Sequence, residues 1–339
     1  VKSMLTSWHN FFFVSFDPGG FVSIDKPPVD FWLQAASARI LGINGFSLAL
    51  PQALSGIAAV GVLYVLVRRV FGVLPAFLAA LALALSPIVV AANRDNIVDS
   101  TLMLVVLLAA WAVIKAAETG RLRWLLLGAA LVGLGFNVKM LEAYLVVPAL
   151  GLLYAVAAPG SRRTRLLHLA LAGGVLLAVS LSWATAVDLT PASQRPYVGS
   201  SATNSEFNLA FGYNGIDRLI GGIFGARGGT RTGASRTAAP TPTPAPISAA
   251  TRAQAQGFGV GETGAPGPLR LFNATLGNQA SWLLLLALVG LLASDWGIAW
   301  RRLGTSARAA VAGAAHTSPR TSPRALVSAR RAILARQAI

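Results

Sequence analysis

The chain has 339 residues, of which 55% are hydrophobic and only 12% are charged, and its mean hydropathy is +0.62. Soluble domains carry about 25% charged residues, so this composition excludes a soluble globular protein and indicates an integral membrane protein. The absence of cysteine excludes disulfide and thiol chemistry. The net charge of +16 accompanies no nucleic-acid motif, so we expect it to set membrane orientation rather than to bind nucleic acid.

The first 45 residues are predicted to lie on the outer membrane surface, with two interfacial helices at residues 1–14 and 27–41. Between these helices stands the sequence Asp25-Lys26-Pro-Pro, in which a carboxylate and an ammonium precede a rigid proline pair. A carboxylate beside a lysine at a membrane surface is suited to hold a metal ion or a phosphate.

Apolar runs that could cross a membrane follow along the rest of the chain, since a spanning helix needs about 20 mostly apolar residues. We expect seven such helices, at residues 46–67, 73–92, 98–117, 124–137, 141–158, 166–187 and 281–293. The expected fold class is therefore an all-α polytopic membrane protein with about seven transmembrane helices, interfacial helices and a long outer loop.

Basic residues mark alternate connections between these spans, at residues 68–69, 115–123, 162–165 and 301–302. These connections fall on one side, which the positive-inside rule assigns to the cytoplasm. All of the 12 acidic residues except Glu118 and Asp295 fall on the opposite side. Either the acids occupy the side that the basic residues leave, or they gather around an outward-facing active site.

Residues 93–99, Asn-Arg-Asp-Asn-Ile-Val-Asp, interrupt two apolar runs with five strongly polar side chains. Such groups near hydrocarbon cost several kcal/mol unless they are paired or hydrated. We therefore favour a functional cluster that contains Arg94, Asp95 and Asp99 over a merely solvated turn.

Two further basic residues allow a functional and a structural interpretation. Lys139 and Glu142 are three residues apart, so on a helix they share a face and can pair. Lys139 either binds an anionic substrate or extends its ammonium group to the membrane interface. Arg270, which precedes the last predicted span, either binds a phosphate or serves as an interfacial anchor.

The long outer loop has two parts. Residues 188–224 mix aromatic, Ser, Asn and Gly residues with Arg195 and Tyr197, which we regard as substrate-binding candidates. Residues 225–268 are a low-complexity linker rich in Gly, Ala, Thr, Pro and Arg. The chain is thus predicted to divide into interfacial segment, bundle, outer loop, last helix and basic disordered tail, at residues 1–45, 46–187, 188–280, 281–300 and 301–339.

In this order the motifs resemble the polyprenyl-phosphate-dependent glycosyltransferases of glycosyltransferase-C fold, which include protein O-mannosyltransferases and the aminoarabinose transferases of lipid A. The resemblance covers residues 1–293 and rests on Asp25-Lys26-Pro-Pro, the 93–99 junction and Lys139. Three further stretches are similar to a bacterial branch of the mannosyltransferase-like group: Trp8-His-Asn-Phe-Phe, Phe16-Asp-Pro-Gly-Gly and Arg195-Pro-Tyr-Val-Gly-Ser-Ser.

The resemblance implies that a lipid-linked sugar phosphate docks at the outer membrane surface. An acceptor hydroxyl, activated by a carboxylate, then attacks the anomeric carbon, and the polyprenyl phosphate leaves. Catalytic roles are implied for Asp25, Asp99 and Asp95. Asp25 matches a position that can hold a divalent metal ion, and Asp99 matches a carboxylate that orients the site, with Asp95 as the alternative.

The same resemblance implies which cations meet the donor. Lys26 would stabilise the charge that grows on the leaving phosphate, with Arg94 or Arg270 as further cations. Lys139 matches a lysine of a family-like motif. The expected partners are a polyprenyl-phosphate-linked sugar, membrane lipid and a protein, wall-polymer or glycolipid acceptor. The expected location is the cell membrane, with the active site on the extracytoplasmic face.

Two departures from the family pattern predict a fragment that lacks both ends of an enzyme. The family's candidate general base follows a first transmembrane helix that would lie upstream of Val1, and its later spans would follow residue 293. The alternatives are a transporter or flippase for a lipid-linked or anionic solute and an inactive truncated membrane protein. Charges gathered at one face, without an internal repeat, favour surface chemistry over alternating access.

Overall fold

The structure of the protein is a computed structural model that describes residues 1–216. These residues belong to one compact unit. They form ten α-helices: α1 Trp8–Phe12, α2 Val29–Leu41, α3 Gly45–Phe71, α4 Val73–Leu85, α5 Pro87–Ala92, α6 Asp99–Thr119, α7 Leu122–Lys139, α8 Val147–Ala157, α9 Arg162–Leu189 and α10 Glu206–Asn208. Short 3-10 segments lie at Ser3–Leu5, Met140–Val146 and Ala192–Gln194, and a π-helical segment covers Leu209–Ile216.

Four segments of the described chain are long and apolar enough to cross a membrane. They are Gly45–Phe71, Asp99–Thr119, Leu122–Ala157 and Arg162–Leu189. They confirm the all-α polytopic class and coincide with the first, third, fourth, fifth and sixth predicted spans. The predicted last span at 281–293 lies outside the described residues.

The segment Leu122–Ala157 is a reversed pair of helices rather than one long helix. Its reversal lies at Met140, which has φ +49° and ψ −132°. Leu125 near the start of α7 and Tyr154 near the end of α8 belong to the same packed cluster. A continuous helix would separate these two residues by about 43 Å. The fourth and fifth spans are therefore distinct, as the sequence predicts.

The prediction of a continuous helix over residues 73–92 is wrong. The helix stops at Ser86, whose ψ of 119° lies in the extended region, and restarts as α5 at Pro87. The residue before a proline is pushed out of the helical conformation, which explains the break. The predicted interfacial helix over residues 1–14 is likewise shorter, because only Ser3–Leu5 and α1 are helical there.

Small residues on α7 let it lie between α6 and α9. A Cβ atom added at Gly128 would come 2.6 Å from the Val113 side chain of α6. At Gly133 it would come 2.9 Å from the backbone oxygen of Leu176 in α9. Within a membrane the hydrophobic effect does not drive helices together, so close backbone approach of this kind is a main source of their packing energy.

The segment before α2 folds over one end of the bundle. The Trp32 indole of α2 donates a hydrogen bond of 2.8 Å to the backbone oxygen of Phe11 in α1. The Trp183 indole of α9 donates one of 3.0 Å to the backbone oxygen of Phe12. We call this end, formed by the starts of α2 and α6 and the ends of α7 and α9, the site end.

The opposite end of the bundle, which we call the basic end, carries paired basic residues. Arg69 at the end of α3 forms an ion pair with Glu118 at the end of α6. The ammonium of Lys115 lies 5.0 Å and 4.0 Å from the ring centroids of Trp111 and Trp124. Charges of opposite predominant sign therefore gather at opposite ends of the helices, as the loop pattern predicts.

The close contact between Gly56 of α3 and Asn93 yields a packing prediction. A Cβ atom at Gly56 would lie 2.2 Å to 2.4 Å from the Asn93 amide atoms, and that amide accepts a 2.7 Å hydrogen bond from Ser100. We expect Gly56→Ala to displace Asn93 and to lower the free energy of unfolding by about 1–3 kcal/mol. Thermal unfolding in detergent measures the effect.

The matched control is Gly61→Ala on the same helix. A Cβ atom there meets no atom within 4 Å, so this variant should be neutral or gain up to about 1 kcal/mol from the better helix propensity of alanine. Equal effects of the two substitutions would contradict the contact.

Candidate functional site

The loop between α1 and α2 presents Asp25 and Lys26 at the site end. The Lys26 ammonium donates a hydrogen bond of 2.8 Å to Asp25 Oδ2, with side-chain exposures of 25% for the lysine and 35% for the aspartate. Pro27 and Pro28 follow and are fully buried. Two buried prolines fix the backbone direction, so the charged pair is held at the surface by a rigid connection to α2.

The loop before Asp25 is held by its own polar contacts. Asp17 Oδ2 accepts the backbone N–H groups of Phe21 and Val22, both at 3.0 Å. Although desolvation opposes it, this acceptance of backbone hydrogen bonds lowers the pKa of the Asp17 carboxyl. The Ile24 backbone N–H donates a hydrogen bond of 3.2 Å to the backbone oxygen of Val14. The segment that leads into the charged pair is therefore ordered by its own turn.

The second lysine of the site end, Lys139, is the last residue of α7. Its ammonium donates a hydrogen bond of 2.6 Å to Asp99 Oδ1 at the start of α6 and lies 2.9 Å from Glu142 Oε2. The chain reversal at Met140 brings Glu142 back beneath the lysine. The pairing that the sequence predicts is present, although it forms between a helix end and a 3-10 segment rather than within one helix.

Asp30 connects α2 to the bundle and is the residue that sequence reasoning missed. It is fully buried. Its Oδ1 is hydrogen-bonded to the Thr101 hydroxyl of α6 at 2.6 Å, and its Oδ2 accepts from the amides of Gln34 at 2.7 Å and Gln52 of α3 at 2.8 Å. Burial raises its pKa, a shift that these hydrogen bonds oppose and that the negative charge of Asp99 reinforces.

Arg94 and Asp95 lie exposed in the turn between α5 and α6. Asp95 Oδ1 accepts the Asn96 backbone N–H at 2.7 Å. Within residues 1–216, the ion pairs that the structure shows at the site end do not include either of them. Beside this turn runs a groove of about 340 Å³ whose polar lining comes from Asn93, Asp99 and Ser100.

Arg195 closes the loop that follows α9 rather than facing outward. Its guanidinium donates to the Thr190 oxygen at 2.9 Å and to the Asn204 side chain and backbone oxygens at 3.1 Å and 2.7 Å. It lies 3.9 Å from Asp188 and is 7% exposed. These partners occupy most of its donors, so the contacts seen are structural, and a substrate-binding role stays a prediction.

Tyr197 joins that loop to the segment before Asp25. Its backbone N–H donates a hydrogen bond of 2.8 Å to the backbone oxygen of Phe21, and its backbone oxygen accepts one of 2.9 Å from the Ser23 N–H. The phenol donates a hydrogen bond of 2.9 Å to the backbone oxygen of Ser201. The residue is 44% exposed. Tyr197 is therefore partly exposed to solvent, and its role in substrate binding stays a prediction.

Comparison with known proteins bears on this arrangement. Residues 25–183 match the family described as dolichyl-phosphate-mannose-protein mannosyltransferase. Two Bacillus subtilis (strain 168) proteins, "Putative mannosyltransferase YycA" and "Putative mannosyltransferase YkcB", are 41% and 39% identical to the chain and align with 89% and 86% of it. The chain is therefore similar to mannosyltransferase-like membrane proteins over most of its length.

The aligned regions are 51% and 49% of YycA and YkcB, so the chain spans about half the length of these curated relatives. Among solved structures, ArnT from Cupriavidus metallidurans is 27% identical with a TM-score of 0.41, both in the apo state and bound to undecaprenyl phosphate. The similarity covers 49% of the chain and 32% and 31% of the two ArnT chains.

In this mannosyltransferase-like chain a second buried acid, Glu206, also escaped sequence reasoning. It begins α10 and is 1% exposed, and neither carboxyl oxygen has a hydrogen-bond partner among the described residues. Burial, with the negative charge of Asp188, raises its pKa to about 8 against the opposing effect of Arg195. No spacing rule marks such a residue, because its burial depends on how the loop folds over α9.

A metal ion at Asp25 finds no ready set of ligands in the described part of the chain. Within residues 1–216, no three His, Asp or Glu side chains lie close enough together to hold one. A single carboxylate paired with an ammonium does not supply the several oxygen ligands that a divalent cation takes. The described residues therefore do not by themselves form a site for a divalent cation.

The structure brings together at the site end Asp25, Lys26, Asp99, Lys139 and, through its turn, the pair Arg94 and Asp95. Arg270 lies outside the described residues. The catalytic and phosphate-binding roles of all these residues remain predictions, while their shared position is a feature of the fold.

The raised pKa of Glu206 predicts how stability depends on pH. Between its ordinary value of 4.5 and about 8, the folded state keeps a proton that the unfolded state releases. The free energy of unfolding should therefore fall as pH rises through this range, by at most about 1.4 kcal/mol per pH unit. Glu206→Gln should flatten this slope and raise stability at pH 8, as melting curves across pH would show.

The control is Gly61→Ala, which removes no ionisable group and meets no atom within 4 Å, so it should leave the slope unchanged. If Glu206→Gln keeps the wild-type pH dependence, Glu206 is not the group that titrates.

Proposed function

We propose that this chain forms the donor-binding part of an enzyme that transfers a sugar from a polyprenyl-phosphate carrier to an acceptor hydroxyl. One observation carries the proposal. Lys26 and Lys139 stand at the same end of the bundle, each hydrogen-bonded to an aspartate at 2.8 Å and 2.6 Å. The description of the matched family, which names dolichyl-phosphate-mannose, supports a lipid-phosphate sugar as the donor.

The proposed reaction moves one bond at the anomeric carbon. The acceptor oxygen forms a bond to that carbon while the bond from carbon to phosphate oxygen breaks, and its electron pair stays on the phosphate. The acceptor proton passes to a carboxylate base. The phosphate gains one negative charge, so a fixed ammonium group beside it lowers the barrier.

The aspartates of the site end act in this scheme mainly by placing the lysines. Asp25 orients Lys26 at the rigid loop before α2, and Asp99 at the start of α6 orients Lys139 at the end of α7. Arg94, exposed at the neighbouring turn, is the further cation that can reach a phosphate at the surface. Asp95, exposed in the same turn, is the alternative to Asp99 as the carboxylate that orients the site.

The sidedness of the proposal follows from charge. Arg69, Lys115 and their neighbours lie at the basic end, which the positive-inside rule assigns to the cytoplasm. The site end then faces the extracytoplasmic side of the cell membrane. A transporter would need ionisable groups near the bilayer midplane, whereas the ion pairs described in residues 1–216 lie at the helix ends.

Loss of the lysines tests the transfer reaction. In the full-length protein reconstituted in liposomes, Lys26→Ala and Lys139→Met should each lower kcat for transfer from a radiolabelled polyprenyl-phosphate sugar by about 100-fold or more. The reason is that each removes a charged donor from the leaving phosphate. Product counting per enzyme molecule measures the loss.

Lys115→Met is the matched control, because it removes a lysine from the basic end and should keep transfer near wild-type rates. Movement of the lipid-linked sugar across the bilayer without transfer to any acceptor would favour the transporter instead. Equal loss in all three variants would show a general effect on folding and would contradict the assignment.

A further inference from the structure

The junction of α2, α3 and α6 contains three side chains in a closed ring of hydrogen bonds. Asp30 Oδ1 lies 2.6 Å from Thr101 Oγ1, Thr101 Oγ1 lies 3.1 Å from Gln52 Oε1, and Gln52 Nε2 lies 2.8 Å from Asp30 Oδ2. All three residues are buried. Each of these three contacts needs one hydrogen between its two heavy atoms.

Counting hydrogens shows that the ring needs a proton on the carboxyl. The Thr101 hydroxyl supplies one hydrogen and the Gln52 amide supplies one to the ring. If Asp30 is ionised, one of the three contacts holds two oxygen atoms without a hydrogen between them. If the Gln52 amide is turned over, its hydrogen lies in the contact with Thr101, and no hydrogen remains in the contact between Gln52 and Asp30. One hydrogen is therefore missing in either orientation of the amide.

We propose that Asp30 is a neutral, proton-carrying positioning residue that locks the first turn of α2 to α3 and α6. The proton on Oδ1 is donated to Thr101, the Thr101 hydroxyl donates to Gln52, and the Gln52 amide donates to Oδ2. Every contact of the ring is then satisfied. The raised pKa of Asp30 that burial causes agrees with this protonation.

The neutral state matters because of the charges that face the ring. Asp99 of α6 is the acid whose negative charge acts on Asp30, and Lys139 of α7 is paired with it. On α3 the ionisable residues are Tyr64, Arg68 and Arg69, which lie toward its other end, and on α2 Arg39 is exposed. An ionised Asp30 would therefore place a second negative charge behind Asp99 without a cation of its own.

The ring acts on the site through two short connections. From Asp30 the chain runs back through Pro28 and Pro27 to Lys26, and Thr101 stands two residues after Asp99. The relative position of the two lysine–aspartate pairs therefore depends on this one junction. A displacement of about 1 Å at a reacting group can cost about 100-fold in rate. The catalytic consequence rests on the proposed function.

Three variants of the full-length protein test the proposal. Asp30→Asn preserves the ring, since its amide can donate to Thr101 while its oxygen accepts from Gln52. This variant should therefore retain nearly wild-type transfer and thermal stability. Asp30→Leu should lower kcat by about 100-fold. Thr101→Val should lose activity similarly, whereas its matched control Thr101→Ser should retain it. A large loss of kcat in Asp30→Asn with an unchanged melting temperature would mean that an ionised carboxylate is needed, and would overturn the proposal.

Infrared difference spectroscopy gives a readout that a merely structural role would not move. At neutral pH, wild-type protein minus Asp30→Asn should show the carbonyl band of a protonated carboxyl group, and its absence would overturn the proposal even where Asp30→Leu fails to fold. If neither wild type nor any variant transfers sugar, the proposed function fails, while the infrared band still decides the state of Asp30.

Discussion

The first turn of α2 is attached to the bundle through one buried carboxyl group. Asp30 is hydrogen-bonded to the hydroxyl of Thr101 and to the amides of Gln34 and Gln52, and so joins three helices at a single point. A buried polar group left without partners costs about 1–3 kcal/mol, which makes any other register of α2 unfavourable. The rigid proline pair before this turn then carries the constraint to Asp25 and Lys26.

The membrane imposes the second constraint, because an ammonium group cannot be left in hydrocarbon without a partner. Lys139 lies at the end of α7 and is only 20% exposed, so its charge is balanced locally by Asp99 and Glu142. The left-handed backbone at Met140 makes this possible by ending the helix at the lysine and returning the chain toward it. The turn that separates two spans therefore also builds the site.

The sequence predicts those parts of this structure that depend on local pattern. The apolar runs predict the four segments of the described chain that could cross a membrane, although not the break at Ser86. The i,i+3 spacing predicts the pair of Lys139 with Glu142, and Asp25-Lys26 is visible as a motif. The role of Asp30 could not be predicted, because its partners Gln52 and Thr101 lie 22 and 71 residues away and only the packed helices bring them together. Arg195 lies in a stretch whose composition is typical of a ligand-binding loop, yet its observed partners are oxygen atoms of that loop. The types of residue in the sequence do not distinguish an arginine that binds a ligand from one that holds its own loop.

Pairing each lysine with an aspartate suits a substrate whose charge grows during the reaction. On the proposed function the donor is a phosphodiester with one negative charge, and the departing polyprenyl phosphate carries two. An unpaired lysine would bind the donor tightly before reaction, and binding that is equal in the ground and transition states does not raise kcat. A lysine whose charge is already balanced by Asp25 or Asp99 attracts the singly charged donor weakly. It is nevertheless oriented in advance for the oxygen on which the second charge develops, so its stabilisation is realised mainly in the transition state.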